Sequence, residues 1–531
     1  MGFLVHIFLA VGVLVLGTAN VRMGPVWPWA APIFLAMPYV LVFAARRASF
    51  SRRTAAVMVG VRLATFAGPL SYLALVWTTG WVAAVRTWTG AEMGWTSWPE
   101  PAAALAFAPF LVLQTLAIDA EARAMSPPGA GRRKWRAFQC RMFLSALVPP
   151  VLYFGAAILI GLNDLVRAHV EHVQLIGFAF VALLLSILGV HLPTLLRGTW
   201  ETVPLPAGRE RMLYDSVAKM ADFTAREVLL WRTGNLMANA AIVGLTPSRR
   251  VVLLSDSLLA SLDERALAAV YGHEIAHSKL HHVPIFCSWF LFFLVGAMGV
   301  VATLDGAGPW TELAVVGGAL CTWGLAFGWL SRRCELEADL FAAELLNDSG
   351  GMVSALETVG GRLRDVAGWR HFSASERVEF LVRATADPVF RRGFKRRMRF
   401  LGRTGIVLGS LAIAFYLVML ARAWPADKVH TDLALGNYAS ALERSRSIDE
   451  LDPDVASLIQ NAATVEDGAS LDVLEGRFLE AFDAGDMVGV RDWAELLVYR
   501  GVASYESVAF ELGDAIREGR EPELEWIEDA P

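Results

Sequence analysis

Two histidines four residues apart, with a glutamate beside the first, stand in the stretch His273-Glu274-Ile275-Ala276-His277. On a helix, positions i and i+4 share a face, so both imidazoles can reach one cation about 2.0–2.1 Å away. Glu274 then stands beside that cation, placed to take a proton from a water bound to it. The plainer alternative is that the two histidines cap or fill a helix near a membrane surface. A catalytic zinc needs a third protein ligand and an open position for water. The run Ser331-Arg332-Arg333-Cys334-Glu335-Leu336-Glu337-Ala338-Asp339 offers Glu335 and Asp339, again at i and i+4. Glu335 can complete a His2Glu set, and Asp339 can accept a hydrogen bond from a ligand imidazole and fix its tautomer. These acids can equally pair with Arg332 and Arg333 at a helix start, and Glu337 is a rival ligand off the favoured face.

The elements that must carry these residues are predominantly helical. Asp263 to Val270 runs into the first motif without Gly or Pro before Gly272, and Ser261 with Glu264 predicts a capping box at the helix start. The chain has 531 residues, of which 55% are hydrophobic and only 19% charged, against about a quarter in soluble domains. Mean hydropathy is +0.46. The excess lies in apolar runs, each long enough to cross a bilayer as a helix. The spacing predicts about nine spans, near 3–19, 28–45, 57–83, 102–119, 142–162, 175–196, 283–304, 312–330 and 404–423. The apolar stretch from Phe3 to Leu16 has no basic segment before it and reads as a retained first helix. Basic clusters abut the second, fifth, sixth, eighth and ninth spans, among them Arg46 and Arg47, Arg132 to Arg136, Arg197, Arg332 and Arg333, and Arg391 to Arg403. With nine spans all of them fall on one side, which places the N-terminus and both motifs in the cytoplasm and the C-terminal tail outside. Because each cluster adjoins a span, the basic residues are topology determinants and no nucleic-acid partner is expected. The four cysteines, Cys140, Cys287, Cys321 and Cys334, are scattered and form no CxxC pair, so neither a disulfide framework nor a thiolate metal site is indicated.

These motifs, in this order, resemble the membrane zinc-peptidase family that includes the CAAX prenyl proteases and HtpX. That family sets H-E-x-x-H before a pair of spans and a third ligand in S-R-x-x-E-x-x-A-D after them. The resemblance implies zinc ligands His273, His277 and Glu335, the base Glu274, and Asp339 supporting a ligand. Asn239-Ala240-Ala241-Ile242-Val243-Gly244 resembles the family's N-A-x-x-x-G stretch, an edge strand that pairs with the substrate backbone, which implies Asn239, Ala240 and Gly244 as substrate-binding. Read alone, the stretch is an ordinary short strand before a turn at Pro247-Ser248. His371-Phe372-Ser373-Ala374-Ser375-Glu376-Arg377 resembles the family's H-P-x-x-x-x-R element, with Phe372 in place of Pro. Through it His371 and Arg377 are implied to stabilise an oxyanion; read alone, they are a surface His and a helix-surface Arg. His281 and His282 receive no role.

The expected fold is mainly α: a polytopic helical membrane protein with a small α+β zincin-type domain. The expected organisation is 1–196 as an N-terminal transmembrane region of about six spans, 197–403 as the metalloprotease domain including two spans, 404–423 as the last transmembrane helix, and 424–531 as an acidic helical tail. Residues 426–531 carry 25 Asp and Glu against 8 Lys and Arg, and the stretches 435–439 and 484–486 read as starts of paired amphipathic helices. The resemblance implies a zinc-dependent endopeptidase acting on membrane-associated or lipid-modified proteins, in quality control or maturation, in a bacterial cytoplasmic membrane with the site on the cytoplasmic side. The expected partners are a peptide or protein substrate and the lipid bilayer, and the sequence does not set an oligomeric state. The alternative from another class is a polytopic transporter or scaffold with a non-catalytic zincin-like domain. It predicts charges paired inside spans and repeated spans; beyond Arg62 the spans carry few such charges and no clear repeat.

Overall fold

The computed structural model describes residues 28–50, 131–244, 246–303, 309–361, 364–448, 451–502 and 505–520, with scattered positions in 71–81 and 108–116. The spans expected at 3–19, 57–83 and 102–119 lie wholly or largely outside the described residues. The chain forms two compact units, residues 1–185 with 420–531, and residues 186–419.

The helices, in chain order, begin with α1 (Ala31–Phe50), α2 (Gly131–Gly161), α3 (Asp164–His172) and α4 (Gln174–Thr199). The second unit then builds β1 (Thr202–Pro204), α5 (Arg209–Met220), β2 (Glu227–Trp231), β3 (Ala240–Val243) and β4 (Val251–Ser255). It continues through α6 (Asp256–Ser261), α7 (Glu264–Lys279), α8 (His282–Thr303), α9 (Pro309–Leu345), α10 (Ser349–Gly360), α11 (Ala374–Ala386) and, as far as residue 419, the long α12 (Pro388–Ala434). The tail is α13 (Tyr438–Ser445), α14 (Pro453–Ala462), α15 (Leu471–Asp483), α16 (Met487–Tyr499) and α17 (Glu506–Glu518). The fold is therefore that of a helical membrane protein carrying a small α+β domain. Among the described residues, α4, residues 282–300 of α8, and α12 are long and apolar enough to cross a membrane.

The four-stranded sheet has the order β1-β2-β4-β3, with β2 and β4 parallel and both outer pairs antiparallel. Strand β4 is buried along its whole length, as a central strand covered on both faces must be. The core under the sheet joins Val228, Val252 and Leu254 to Leu267, Tyr271 and Ile275 of α7. That packing fixes the helix bearing the first motif against the sheet. Strand β3 is the edge beside α7. It ends at Gly244, whose φ of +108° and closeness to Arg249 O leave no room for a side chain.

In the first unit the tail has its own core, including Leu458, Ile459, Val490, Trp493 and Leu497. Gly436 and Gly485, with φ of +75° and +70°, turn the chain at the two stretches read as helix starts, ahead of α13 and α16. Buried Asp492 pairs with Arg491 and accepts hydrogen bonds from Ser457 and Asn461, so its charge is fully partnered.

Candidate metal centre

Helix α7 starts two residues later than the predicted capping box requires. Asp263 is the N-cap, accepting from Ala266 N at 2.8 Å. Ser261 ends α6 and donates its hydroxyl to Ser257 O. The cap is satisfied all the same, because an aspartate oxygen reaches the orphan amides as well as a serine does.

Helices α7 and α9 approach closely where Gly272 faces Ala342. A Cβ on Gly272 would stand 3.2 Å from the Ala342 Cβ and 3.3 Å from its Cα. On α9 the positions 335, 338, 339 and 342 share one face by helical spacing. Ala342 is fully buried at this crossing, and Ala338 on the same face of α9 is fully buried too. The small residues bring the backbones together, so side chains from the two helices meet across a short gap.

Into that gap project His273, His277 and Glu335. The two imidazole Nε2 atoms stand 3.2 Å apart, and Glu335 oxygens lie 3.6 Å from His273 Nε2 and 3.7 Å from His277 Nε2. One atom from each residue lies within 4.8 Å of the others. Two nitrogens bound tetrahedrally at 2.0–2.1 Å to one ion stand about 3.3 Å apart, so this donor set and spacing fit a divalent metal of the zinc type. The electrostatics agree. Burial alone would deprotonate His273, yet hydrogen bonds and charge from Asp339 and Glu335 push its pKa up to about 10. Burial alone would raise Glu335, yet His273, His371 and His277 hold it well below the usual carboxylate range. Burial and the charge of His273 push His277 down to about 3, leaving it a neutral donor. The cluster thus favours positive charge at the point where the three side chains converge.

Each imidazole is oriented from behind. His273 Nδ1 faces Asp339 Oδ1 at 2.8 Å. Asp339 has no exposed surface and is gripped by Arg377, Nε at 2.7 Å and Nη2 at 2.6 Å. Burial opposes its ionisation, but Arg377 and His273 keep its pKa below the ordinary aspartate value. His277 Nδ1 lies 2.9 Å from Nδ1 of His282, whose Nε2 lies 3.2 Å from Glu337 Oε2. His282 is 1% exposed. Sequence reasoning left His282 without a role and treated Glu337 as a rival ligand. Glu337 instead stands behind His282, two residues and about 200° round the helix from Glu335. The legible signal was a His-and-Glu pair flanking the two spans.

Glu274 sits next to His273 with its carboxyl pushed up to about 7, chiefly by burial, with Glu335 adding and His273 and Arg377 opposing. Arg332 and Arg333 do not take up the acids: Arg332 lies over the Phe372 ring and Arg333 over Trp329. His371, half exposed, points Nδ1 at Glu335 Oε2 from 3.4 Å. Arg377 stands just inside α11, which opens with a capping box formed by Ser373 and Glu376. Its guanidinium is engaged by Asp339, with Nη1 a further 3.7 Å from Glu335. Asn239 is tied to Ser255 by two hydrogen bonds, which anchors the start of β3, and Ala240 is packed in the core with α7.

Residues 204–385 match the model of peptidase family M48. The chain is 30% identical over 217 residues to a protease HtpX homolog of Chlorobium phaeobacteroides strain BS1, covering 35% of this chain and 67% of that protein. A second homolog of that name, from strain DSM 266 of the same species, is 30% identical over 217 residues and covered to 70% of its length. One from Moorella thermoacetica is 27% identical over 241 residues and covered to 77%. Among solved structures, the crystal structure of S. mikatae Ste24p aligns with a TM-score of 0.44 at 13% identity, over 70% of this chain and 98% of that one.

Proposed function

Because this chain belongs to peptidase family M48, we propose that it is a zinc-dependent membrane endopeptidase whose metal is held by His273, His277 and Glu335. The observation that carries this reading is the convergence of those three side chains within 4.8 Å, with Glu274 beside them. When bound, the ion polarises the scissile carbonyl and makes an attacking water acidic.

The remaining work falls to this chain's own groups. Asp339 accepts from His273 Nδ1, which leaves Nε2 free as a donor to the site, and Glu337 does the same for His277 through His282. Glu274 takes the proton of the attacking water and passes it to the leaving amine nitrogen; a carboxyl poised near 7 is suited to both transfers. His371, on the exposed side of Glu335, is placed to donate to the developing oxyanion. Arg377 acts chiefly through Asp339, because two of its nitrogens are spent there. The substrate lies extended along β3, whose residues 240–243 form the sheet edge beside α7, with Asn239 and Gly244 bounding it.

Basic clusters beside the apolar helices support a site on the cytoplasmic face of a bacterial inner membrane. The same placement supports, as substrates, segments of membrane proteins or lipid-modified tails, in quality control or maturation. In domain terms, residues 197–403 form the peptidase, 1–196 and 404–423 the membrane part, and 424–531 an appended acidic module.

The test is zinc content of detergent-purified wild type and Glu335→Ala, alongside casein cleavage by wild type and Glu274→Gln. Stoichiometric zinc lost in Glu335→Ala, with cleavage lost in Glu274→Gln, is expected. Absence of zinc from the wild type would overturn the reading.

A further inference from the structure

Away from the metal centre, α8, α9 and α12 enclose an apolar cleft lined by Trp289, Phe293, Trp323, Ala326, Trp329 and Leu401. It has no polar lining and is not part of the peptidase chemistry. Trp289 donates its indole N–H to Leu401 O at 3.3 Å and lies against Gly405, so α8 and α12 are locked together at its wall. Trp residues at the end of membrane helices mark the headgroup level, and two of these three helices are long and apolar enough to span.

At the rim the chemistry changes within one helical turn. Arg333 stands four residues beyond Trp329, with its guanidinium 3.7 Å over that ring and Nη1 donating to Trp329 O. Arg397 stands four residues before Leu401 on α12, so both arginines lie one turn to the same side of the cleft. Among the described residues no carboxylate pairs with Arg333 or Arg397. Glu337, one turn beyond Arg333 on α9, is engaged by His282, and Glu344 is taken up by Arg391 and Lys395. An apolar slot for a chain, capped by two cations that lack an anion, has the complementary shape and charge of one molecule class.

We propose that this cleft binds an anionic phospholipid, one acyl chain lying among Trp289, Trp323 and Leu401 and the phosphate bridging Arg333 and Arg397. Arginine matches phosphate oxygens in shape as well as charge, and basic pockets between membrane helices on the cytoplasmic side hold acidic headgroups. The bound lipid would neutralise Arg333, two residues upstream of Glu335, together with Arg397, and fix α9 against α8 and α12.

The experiment is native mass spectrometry of the full chain released from detergent after incubation with equimolar phosphatidylglycerol and phosphatidylcholine. Wild type is expected to retain one phosphatidylglycerol at about tenfold or more over phosphatidylcholine. Arg333→Gln with Arg397→Gln should remove the preference, and the double lysine variant should keep most of it. Ala326→Trp, which fills the slot but leaves both arginines, should release the lipid while zinc content stays at the wild-type level. Equal retention of the two lipids by wild type, or undiminished phosphatidylglycerol in the double glutamine variant, would overturn the proposal. Full displacement by inorganic phosphate at equal concentration would also overturn it, since the acyl chain would then contribute nothing.

Discussion

Arg377 grips Asp339 with two nitrogens, at 2.6 and 2.7 Å, and so holds a carboxylate with no exposed surface ionised directly behind His273. Removing the cation alone leaves that buried charge with only His273 as its partner. Arg377→Ala is therefore expected to destabilise the peptidase unit by about 3–5 kcal/mol and to weaken zinc binding about 10–100-fold. Denaturant unfolding and chelator competition measure the two effects. A variant with wild-type values of both would show that the pair does not support His273.

Glu274→Gln keeps the shape of the base and removes its ability to accept a proton. Zinc content is expected to stay stoichiometric while kcat falls by about two to four orders of magnitude. Cleavage at the wild-type rate by this variant would assign the proton transfer to another group.

His282 and Glu337 are expected to matter without touching substrate. His282→Ala and Glu337→Gln should each raise the zinc dissociation constant about 10–100-fold, and excess zinc should restore kcat. His282→Asn, which can still accept from His277 Nδ1, should recover part of the affinity. Unchanged affinity in His282→Ala would remove the pair from the metal centre.

Gly272 is where α7 and α9 come closest. Gly272→Val must push the helices apart, since even a single Cβ would sit 3.2 Å from Ala342. The expected cost is about 1–3 kcal/mol of stability, accompanied by loss of zinc because Glu335 and the histidines lie on opposite sides of that gap. Calorimetry with metal analysis checks both readouts.

In the first unit His172 is pushed down to about 4, chiefly by burial, with Glu171 opposing and His430 and Arg167 adding; its ring packs on Tyr499 at 5.2 Å. The unfolded chain binds a proton near pH 6.5 where the folded chain does not, so stability from this group is present above pH 6.5 and lost as pH falls towards 4. The melting temperature of the full chain is expected to drop across that window. His172→Phe, which keeps the ring contact and cannot charge, should flatten the drop; an unaltered profile in that variant would place the titration elsewhere.

What the chain makes legible on its own is local. The i, i+4 histidines with Glu274, the apolar runs and the basic clusters flanking them all rest on spacings that helix and bilayer geometry impose over a few residues, whereas the edge-strand role of 239–244 was implied only by the resemblance. The order of the motifs likewise marked the family. What only the tertiary structure decided is which faces meet. Glu335 and Glu337 are near-equivalent in sequence, yet they point about 200° apart. The crossing of Gly272 against Ala342 turns one of them to the histidines and leaves the other to hold His282. The packing of α11 against α9, not any local pattern, spends Arg377 on Asp339. Ser261 gave up the cap for an equally local reason that the spacing hid: its hydroxyl was already committed to Ser257 at the end of the preceding helix. Periodicity specifies what a segment can present. Close packing between segments far apart in the chain selects which of those side chains become neighbours, because only one face of each helix can be brought into contact without a void or a clash.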